Sequence, residues 1–364
     1  MSNAKTMYAL NLDQCVDLIS AIGHKQTVLL QGDMGNGKSA VGYQLERKMP
    51  THKYFYFDCT TKDLGDIMYP KFKDVEGGDC VTMVTNEELG FHTDKPVIIN
   101  LDEFGKALPP VKTALLRGIY ERKMGKYSLP EGSIIFATTN KGSEGVGDIL
   151  PPHARNRMTV VQVKKTDHMT WIEWGINEGD IDHAVLGWVK DFPQTFHSFE
   201  GIKDPEENPY IFHPQAQRDA FVTPRSLELA SNIVKQRDIL DTNTLTGALI
   251  GTIGERGAMD LMAHVSVADD LPKLDDIKKD PKNAKVPTTA SAVCMVVYRT
   301  LATLEREWLD NWMEYLLRLD AEAQGLFANG VKSPKYSKRS MVMTNKKFTD
   351  WARQNNYMFS ADKK

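Results

Sequence analysis

The chain has 364 residues, 41% hydrophobic and 26% charged, the composition of a globular protein with room for two or three domains. Its net charge of −3 supplies no global field toward nucleic acid or an anionic membrane. No apolar run approaches the ~18 residues that cross a bilayer. Cys15, Cys59, Cys80 and Cys294 stand far apart with no C-x-x-C pair, so they suggest neither a zinc site nor a disulfide framework and read as buried free thiols. The start, "MSNAKTMYAL", lacks the basic and then apolar pattern of a signal peptide, and the expected compartment is the cytoplasm.

The first predicted strand, "TVLLQ" (27–31), runs into "GDMGNGKS", which matches G-x-x-x-x-G-K-[ST]. The motif comprises Gly32, Asp33, Met34, Gly35, Asn36, Gly37, Lys38 and Ser39. Its glycines let backbone N–H groups converge on phosphate oxygens, and the following helix (37–49) adds its positive end. Lys38 is placed to reach the β- and γ-phosphates of ATP, and the Ser39 hydroxyl to hold Mg²⁺.

"YFYFD" (54–58) reads as the second strand and "VIINL" (97–101) as the third. Asp102 and Glu103 end the third strand, where open α/β sheets place their ligands. Asp102 is a hard oxygen ligand for Mg²⁺ through water, and Glu103 is a base that polarises an attacking water. A helical pattern follows over 109–123. "IIFATT" (134–139) is the fourth strand, and Asn140 at its end can orient the same water. Then comes "LPPHARNRM" (150–158), with Arg155 and Arg157 just ahead of the fifth strand, "MTVVQV" (158–163). Two permanent cations with no acid within five positions after Arg157 call for an anion from elsewhere. All five strands are apolar almost throughout, as in a parallel sheet covered on both faces, and their alternation with helices makes the fold α/β.

After residue 165 the strand patterns stop, so a helical domain is expected from Thr166. "TPRSLELASNIV" starts a helix with Thr223 as N-cap and Pro224 at the first position. Arg225 then sits in the first turn, where the macrodipole disfavours a cation unless a phosphate compensates it. The polar stretch 269–287 reads as a linker or an extended wrap. Val293, Val297, Leu301, Leu304, Trp308, Trp312, Leu316 and Leu319 recur at steps of three and four, one helical face expected to pack inside the chain. Residues 332–347 carry six basic residues and no acidic one, with Tyr336 interleaved, and read as a solvated tail. The expected domains are 1–165, 166–268 and 269–364.

These pieces in this order resemble the AAA+ ATPases. "GDMGNGKS" looks like Walker A, "VIINLDE" like Walker B, "ATTN" like sensor 1 and "TPRS" like sensor 2. Within that superfamily "TTKDLGD", "KTALLRGIYER", "LPEGSIIFATTN" and "TPRSLELA" look most like the MoxR branch of bacteria and phages, over residues 10 to about 265. The resemblance implies a P-loop NTPase with a five-stranded parallel sheet in the order 5-1-4-3-2, a helical lid and a helical C-terminal extension. It also implies a ring that is usually hexameric, a chaperone-like role, and a protein partner such as one carrying a von Willebrand factor A domain. The arginine finger falls on "HARNRM", where Arg157 fits the spacing best and Arg155 is the alternative. Residues 74–94 fall where this branch carries an insertion. Two rival functions stand beside the ATP-driven remodelling of a protein: an AAA+ machine acting on nucleic acid through 332–347, and a nucleotide-gated scaffold with little hydrolysis.

Overall fold

The computed structural model describes residues 8–75, 78–140 and 152–359. The chain forms two compact units, Met1–Lys165 and Thr166–Lys364, dividing where strands give way to helices. Among the described residues no helix is long and apolar enough to cross a membrane.

The first unit runs α1 (Leu12–Ile22), β1 (Thr27–Gln31), α2 (Ala40–Lys48), β2 (Lys53–Asp58), β3 (Met68–Val75), β4 (Gly78–Thr85), β5 (Val97–Asp102), α3 (Pro109–Glu121), β6 (Lys123–Met124), β7 (Tyr127–Ser128), β8 (Ile134–Thr139), α4 (Pro152–Arg155) and β9 (Met158–Gln162). Five strands form one sheet in the order β2-β5-β8-β1-β9, every pair parallel. Numbered among themselves along the chain, they run 5-1-4-3-2, the order that the AAA+ resemblance implies.

The period-2 alternation of the strands builds one core on each face. Leu29, Phe57, Ile99, Leu101 and Ile135 pack against Val111, Leu115 and Ile119 of α3. Val28, Leu30, Ile98 and Phe136 pack on the opposite face against Cys15 and Ile19 of α1 and Val41 and Leu45 of α2. Only the inner strands are covered as expected of all five. The β5 and β8 residues are all buried, whereas β2 and β9, at the sheet edges, are largely half-buried.

The insertion expected over 74–94 begins earlier, as the antiparallel hairpin β3–β4 with Phe72 opposite Val81, both exposed. Cys80 lies on this hairpin and is exposed, contrary to the expectation of four buried thiols; Cys15, Cys59 and Cys294 are buried.

The second unit is helical: α5 (His168–Asn177), α6 (His183–Asp191), α7 (Pro224–Val234), α8 (Thr242–Asp269), α9 (Leu274–Lys279), α10 (Ala290–Thr303), α11 (Leu309–Leu316), α12 (Ala321–Lys332), α13 (Arg339–Met343) and α14 (Lys346–Gln354). α8 is interrupted at Gly254, whose φ of 81° belongs to the left-handed side of the map that glycine tolerates. α7 starts as its sequence predicts: Ser226 N–H donates to Thr223 Oγ1 at 3.0 Å and Thr223 N–H to Ser226 Oγ at 2.8 Å.

One hydrophobic core runs from Trp171 through Leu227, Leu261 and Trp312 to Trp351. Residues 166–268 and 269–364 therefore share a core rather than meeting at a linker. The stretch 269–287 is a wrap: Ile277 is buried, Asn311 Nδ2 donates to the Lys278 carbonyl, and Tyr315 Oη donates to that of Lys285 at 2.7 Å. The eight-residue stripe is buried throughout, but it runs over α10, the turn 304–308, α11 and Leu319 beyond it, because the chain turns at Leu304 and restarts at Leu309. The solvated tail expected over 332–347 is instead folded. Tyr336 is 4% exposed with its hydroxyl on the Leu301 carbonyl, and Phe348 and Trp351 of α14 are buried.

Candidate active site

Between β1 and α2 the chain turns through the glycine-rich loop. Gly35 and Gly37 have φ of 67° and 76°, a region that would strain other residues. Asn36 is buried and its amide donates to the Lys164 carbonyl at 3.0 Å, tying the loop to the end of β9. Gly32 N–H donates to the Thr139 carbonyl at 3.2 Å, tying it to β8. Lys38 is 6% exposed, and its ammonium donates to the Gly32 carbonyl (2.9 Å), the Asp33 carbonyl (2.7 Å) and Asn140 Oδ1 (2.8 Å).

Ser39 occupies the N-cap of α2 yet makes no side-chain cap. A serine there ordinarily satisfies a free helix N–H. Its Oγ instead donates to Asp102 Oδ1 at 2.9 Å. Thr138 Oγ1 donates to the same oxygen at 2.5 Å, and Tyr56 Oη donates to Oδ2 at 2.9 Å. Alternation explains the convergence. Tyr54, Tyr56, Asn100, Asp102, Thr138 and Asn140 all fall on the sheet face covered by α1 and α2, with Asp102, Thr138 and Asn140 at the C-terminal strand ends. Asn100 in turn donates to Tyr54 Oη at 3.1 Å. The Tyr56 phenol is held protonated: burial raises it first, and its bond to Asp102 and that charge raise it further.

Glu103 leaves the alternation. Its φ of 49° and ψ of 35° are left-handed, at a cost of about 1–2 kcal/mol for a residue with a Cβ. The surroundings offset this. Glu103 N–H donates to Thr138 Oγ1 at 3.1 Å, its carbonyl accepts from Lys106 N–H at 2.8 Å, and Asn140 Nδ2 donates to Oε1 at 2.9 Å. Oε2 lies 3.3 Å from Lys106 Nζ. The left-handed turn points the carboxylate back toward Asn140 instead of onward along the chain. Lys38, Asn140 and Glu103 thus form a continuous polar line.

Lys38, Ser39, Asp102, Glu103 and Asn140, read from three separate stretches of sequence, are brought together. Arg155 and Arg157 are exposed on the same unit, and the Arg157 guanidinium lies 5.7 Å over the Tyr120 ring. Arg225 is exposed in the first turn of α7 in the other unit. Sequence reading missed Tyr56, Thr138 and Lys106. An aromatic run in a strand ordinarily signals β-propensity alone, and nothing in it announces a hydrogen bond to a carboxylate two strand positions away.

The donor set fits a magnesium nucleotide. Asp102 and Ser39 offer hard oxygens, Thr139 Oγ1 is buried without a hydrogen-bond partner, and Glu103 Oε2 is held only by its ion pair with Lys106. Among the described residues no cluster of three or more His, Cys, Asp or Glu side chains forms a metal centre. A P-loop magnesium site needs none, because phosphates and water supply most of its ligands.

No family model matches the chain, and no curated protein does. Solved structures with a similar chain path include a candidate ATPase of Cytophaga hutchinsonii, at 14% identity over 69% of this chain and 84% of that one, with a TM-score of 0.35. A mutant of Thermotoga maritima RuvB aligns at 13% identity over 83% and 90%, with a TM-score of 0.39. The RuvB Holliday junction branch migration motor of the same organism aligns at 13% over 83% and 86%, with a TM-score of 0.36. Superpositions this loose carry no information on activity, which rests on the geometry of the site itself.

Proposed function

We propose that this protein is an AAA+ ATPase of MoxR type that hydrolyses ATP to ADP and phosphate and uses the cycle to remodel a protein partner. The observation that carries the reading is the line Lys38–Asn140–Glu103 beside Asp102 and Ser39, at the sheet end where α/β folds bind ligands. Lys38 exchanges its contacts to loop carbonyls for phosphate oxygens. Ser39 and Asp102 would hold Mg²⁺, which when bound would neutralise charge on the phosphates. Glu103 polarises the attacking water, and Asn140 fixes the carboxylate that does so. Phosphoryl transfer asks for positioning and charge stabilisation, which these groups supply.

The same reading makes Arg157, with Arg155 as the alternative, the finger that a neighbouring subunit contributes in a ring of hexameric type. It makes Arg225 the sensor of a lid, and a von Willebrand factor A domain protein a fitting partner. Three buried free thiols suit the cytoplasm of a bacterium or a phage-infected cell. Action on nucleic acid has lost its best support, because Tyr336 is buried and Lys332, Lys338 and Lys347 are bonded within the unit.

Phosphate release and equilibrium nucleotide binding test the proposal. Lys38→Ala is expected to lose binding. Glu103→Gln is expected to keep binding and lose turnover. Normal turnover in Glu103→Gln would overturn the assigned base, and a wild-type chain that binds ATP without hydrolysing it would favour the scaffold.

A further inference from the structure

We infer that Tyr56 is a positioning residue that makes the Asp102 carboxylate selective for a hydrated magnesium ion over calcium. The inference rests on the ATPase reading and adds a specificity determinant to it.

A carboxylate offers about four lone-pair positions. Three are taken by hydroxyls from three separate segments: Ser39 and Thr138 on Oδ1, and Tyr56 on Oδ2. With the phenol on Oδ2, the two oxygens cannot both turn toward one cation. Asp102 is left to act through a single contact or through water. Magnesium accepts this, because it keeps several of its waters and binds few carboxylates. Calcium gains from bidentate carboxylates and a larger ligand count, and the phenol denies it the second oxygen. The Ser39 proton is committed to Asp102, so the Ser39 oxygen keeps its lone pairs for the cation.

Tyr56 is not there as core. It is 45% exposed on an edge strand. Asp58, directly opposite Asp102 in the parallel register, is not used for this purpose; its Oδ1 accepts from Thr60 N–H and Oγ1. Tyr54 sits two residues earlier on the same face and serves Asn100. The neighbouring phenol is thus a built-in control.

The test follows binding of a fluorescent ATP analogue to the full chain by anisotropy, with Mg²⁺ or Ca²⁺ varied and melting recorded alongside. Partners that orient a metal-ligating group typically contribute 10–100-fold to affinity. Tyr56→Phe is expected to raise the Mg²⁺ half-saturation about 10-fold while Ca²⁺ holds or improves, so the preference narrows. Tyr54→Phe is expected to leave the preference unchanged. In an Asp102→Ala background, adding Tyr56→Phe is expected to change nothing further, since the carboxylate it held is gone. An unchanged Mg²⁺ preference in folded Tyr56→Phe would overturn the inference, as would equal weakening for both ions or a further effect in the Asp102→Ala background. If the wild-type chain bound no magnesium nucleotide, the ATPase reading itself would fall first.

Discussion

Asn140 joins the lysine of the glycine-rich loop to the proposed base, and Asn140→Ala cuts that join at both ends. Its side chain is 8% exposed, so water restores little. Hydrogen bonds to charged groups contribute about 1.5–3 kcal/mol each. Lys38 keeps the Gly32 and Asp33 carbonyls, and Glu103 keeps Lys106, so part of each loss is recovered. A net cost of about 2 kcal/mol would lower the melting temperature of a unit of this size by about 4–8 °C. The turnover effect comes from the Glu103 end. Without the amide, the carboxylate loses its fixed aim at the water. Forfeiting about 1.5–3 kcal/mol of that aim slows hydrolysis roughly 10- to 150-fold. Nucleotide affinity stays within about threefold, because Lys38 is intact. Asn140→Asp separates the two consequences. It still accepts from Lys38, so the loop end of the join is kept, yet it repels Glu103, so turnover falls. Single-turnover hydrolysis, analogue binding and calorimetry on both variants give the numbers. Wild-type hydrolysis in either folded variant would refute the line Lys38–Asn140–Glu103 as a working unit.

The remaining predictions concern the finger and the helical unit. Arg157→Ala is expected to bind ATP and hydrolyse it poorly, since a finger in trans adds roughly 10³–10⁵ in rate. Mixing it with Lys38→Ala is expected to restore partial activity, because some interfaces then pair an intact loop with an intact finger. A mixture that stays inactive after verified subunit exchange rules out the trans finger, and the same mix with Arg155→Ala identifies which arginine acts. His183 is pushed down to about 4, chiefly by burial and further by Arg299 and Arg237, against the pull of Asp182. The unfolded chain takes up a proton near pH 6.5 while the folded unit resists until about pH 4, so stability is full above 6.5 and falls with pH across that window. The shift corresponds to about 3 kcal/mol. Urea denaturation of the helical unit from pH 7 to pH 4 reads it, and a flat profile refutes it.

Much of the α/β unit was legible because its signals are local. Each inner strand announces itself by an unbroken apolar run, and the glycine-rich loop by residues that only a phosphate turn requires. Asp102 and Asn140 can be placed at strand ends, and Ser39 at a helix start, from sequence alone. What local pattern does not carry is the cross-strand partner. Tyr56 and Thr138 reach Asp102 through register, and register is a property of the assembled sheet. The left-handed turn at Glu103 is likewise invisible, since glutamate gives no hint of positive φ. The C-terminal quarter, 269–364, is less legible for a related reason. Counting the charges of 332–347 hid Phe348 and Trp351 just beyond, and the basic residues proved to be the outer face of packed helices. The wrap 269–287 is held by Arg299, Asn311, Tyr315 and Arg318 donating to its carbonyls, long-range bonds that composition cannot express.

The two arginines of "HARNRM" are where sequence and structure bear on one another most directly. The sequence shows two cations without a nearby acid. The structure shows that, among the described residues, folding does not supply one: Arg155 and Arg157 are exposed, and neither makes an ion pair there. The stacking of Arg157 on Tyr120 does not account for the pair, since a cation–π contact at an exposed site contributes about 0.5–1 kcal/mol. Tyr120 is itself 68% exposed, so neither residue is drawn to its place by burial. Stacking does restrict the guanidinium to one side of α3, which lowers the entropy lost when that group later meets a fixed anion. On the proposed ATPase reading, the target of this arginine lies outside the subunit. The phosphates of a nucleotide in an adjoining copy have the charge and the geometry that a guanidinium fork accepts.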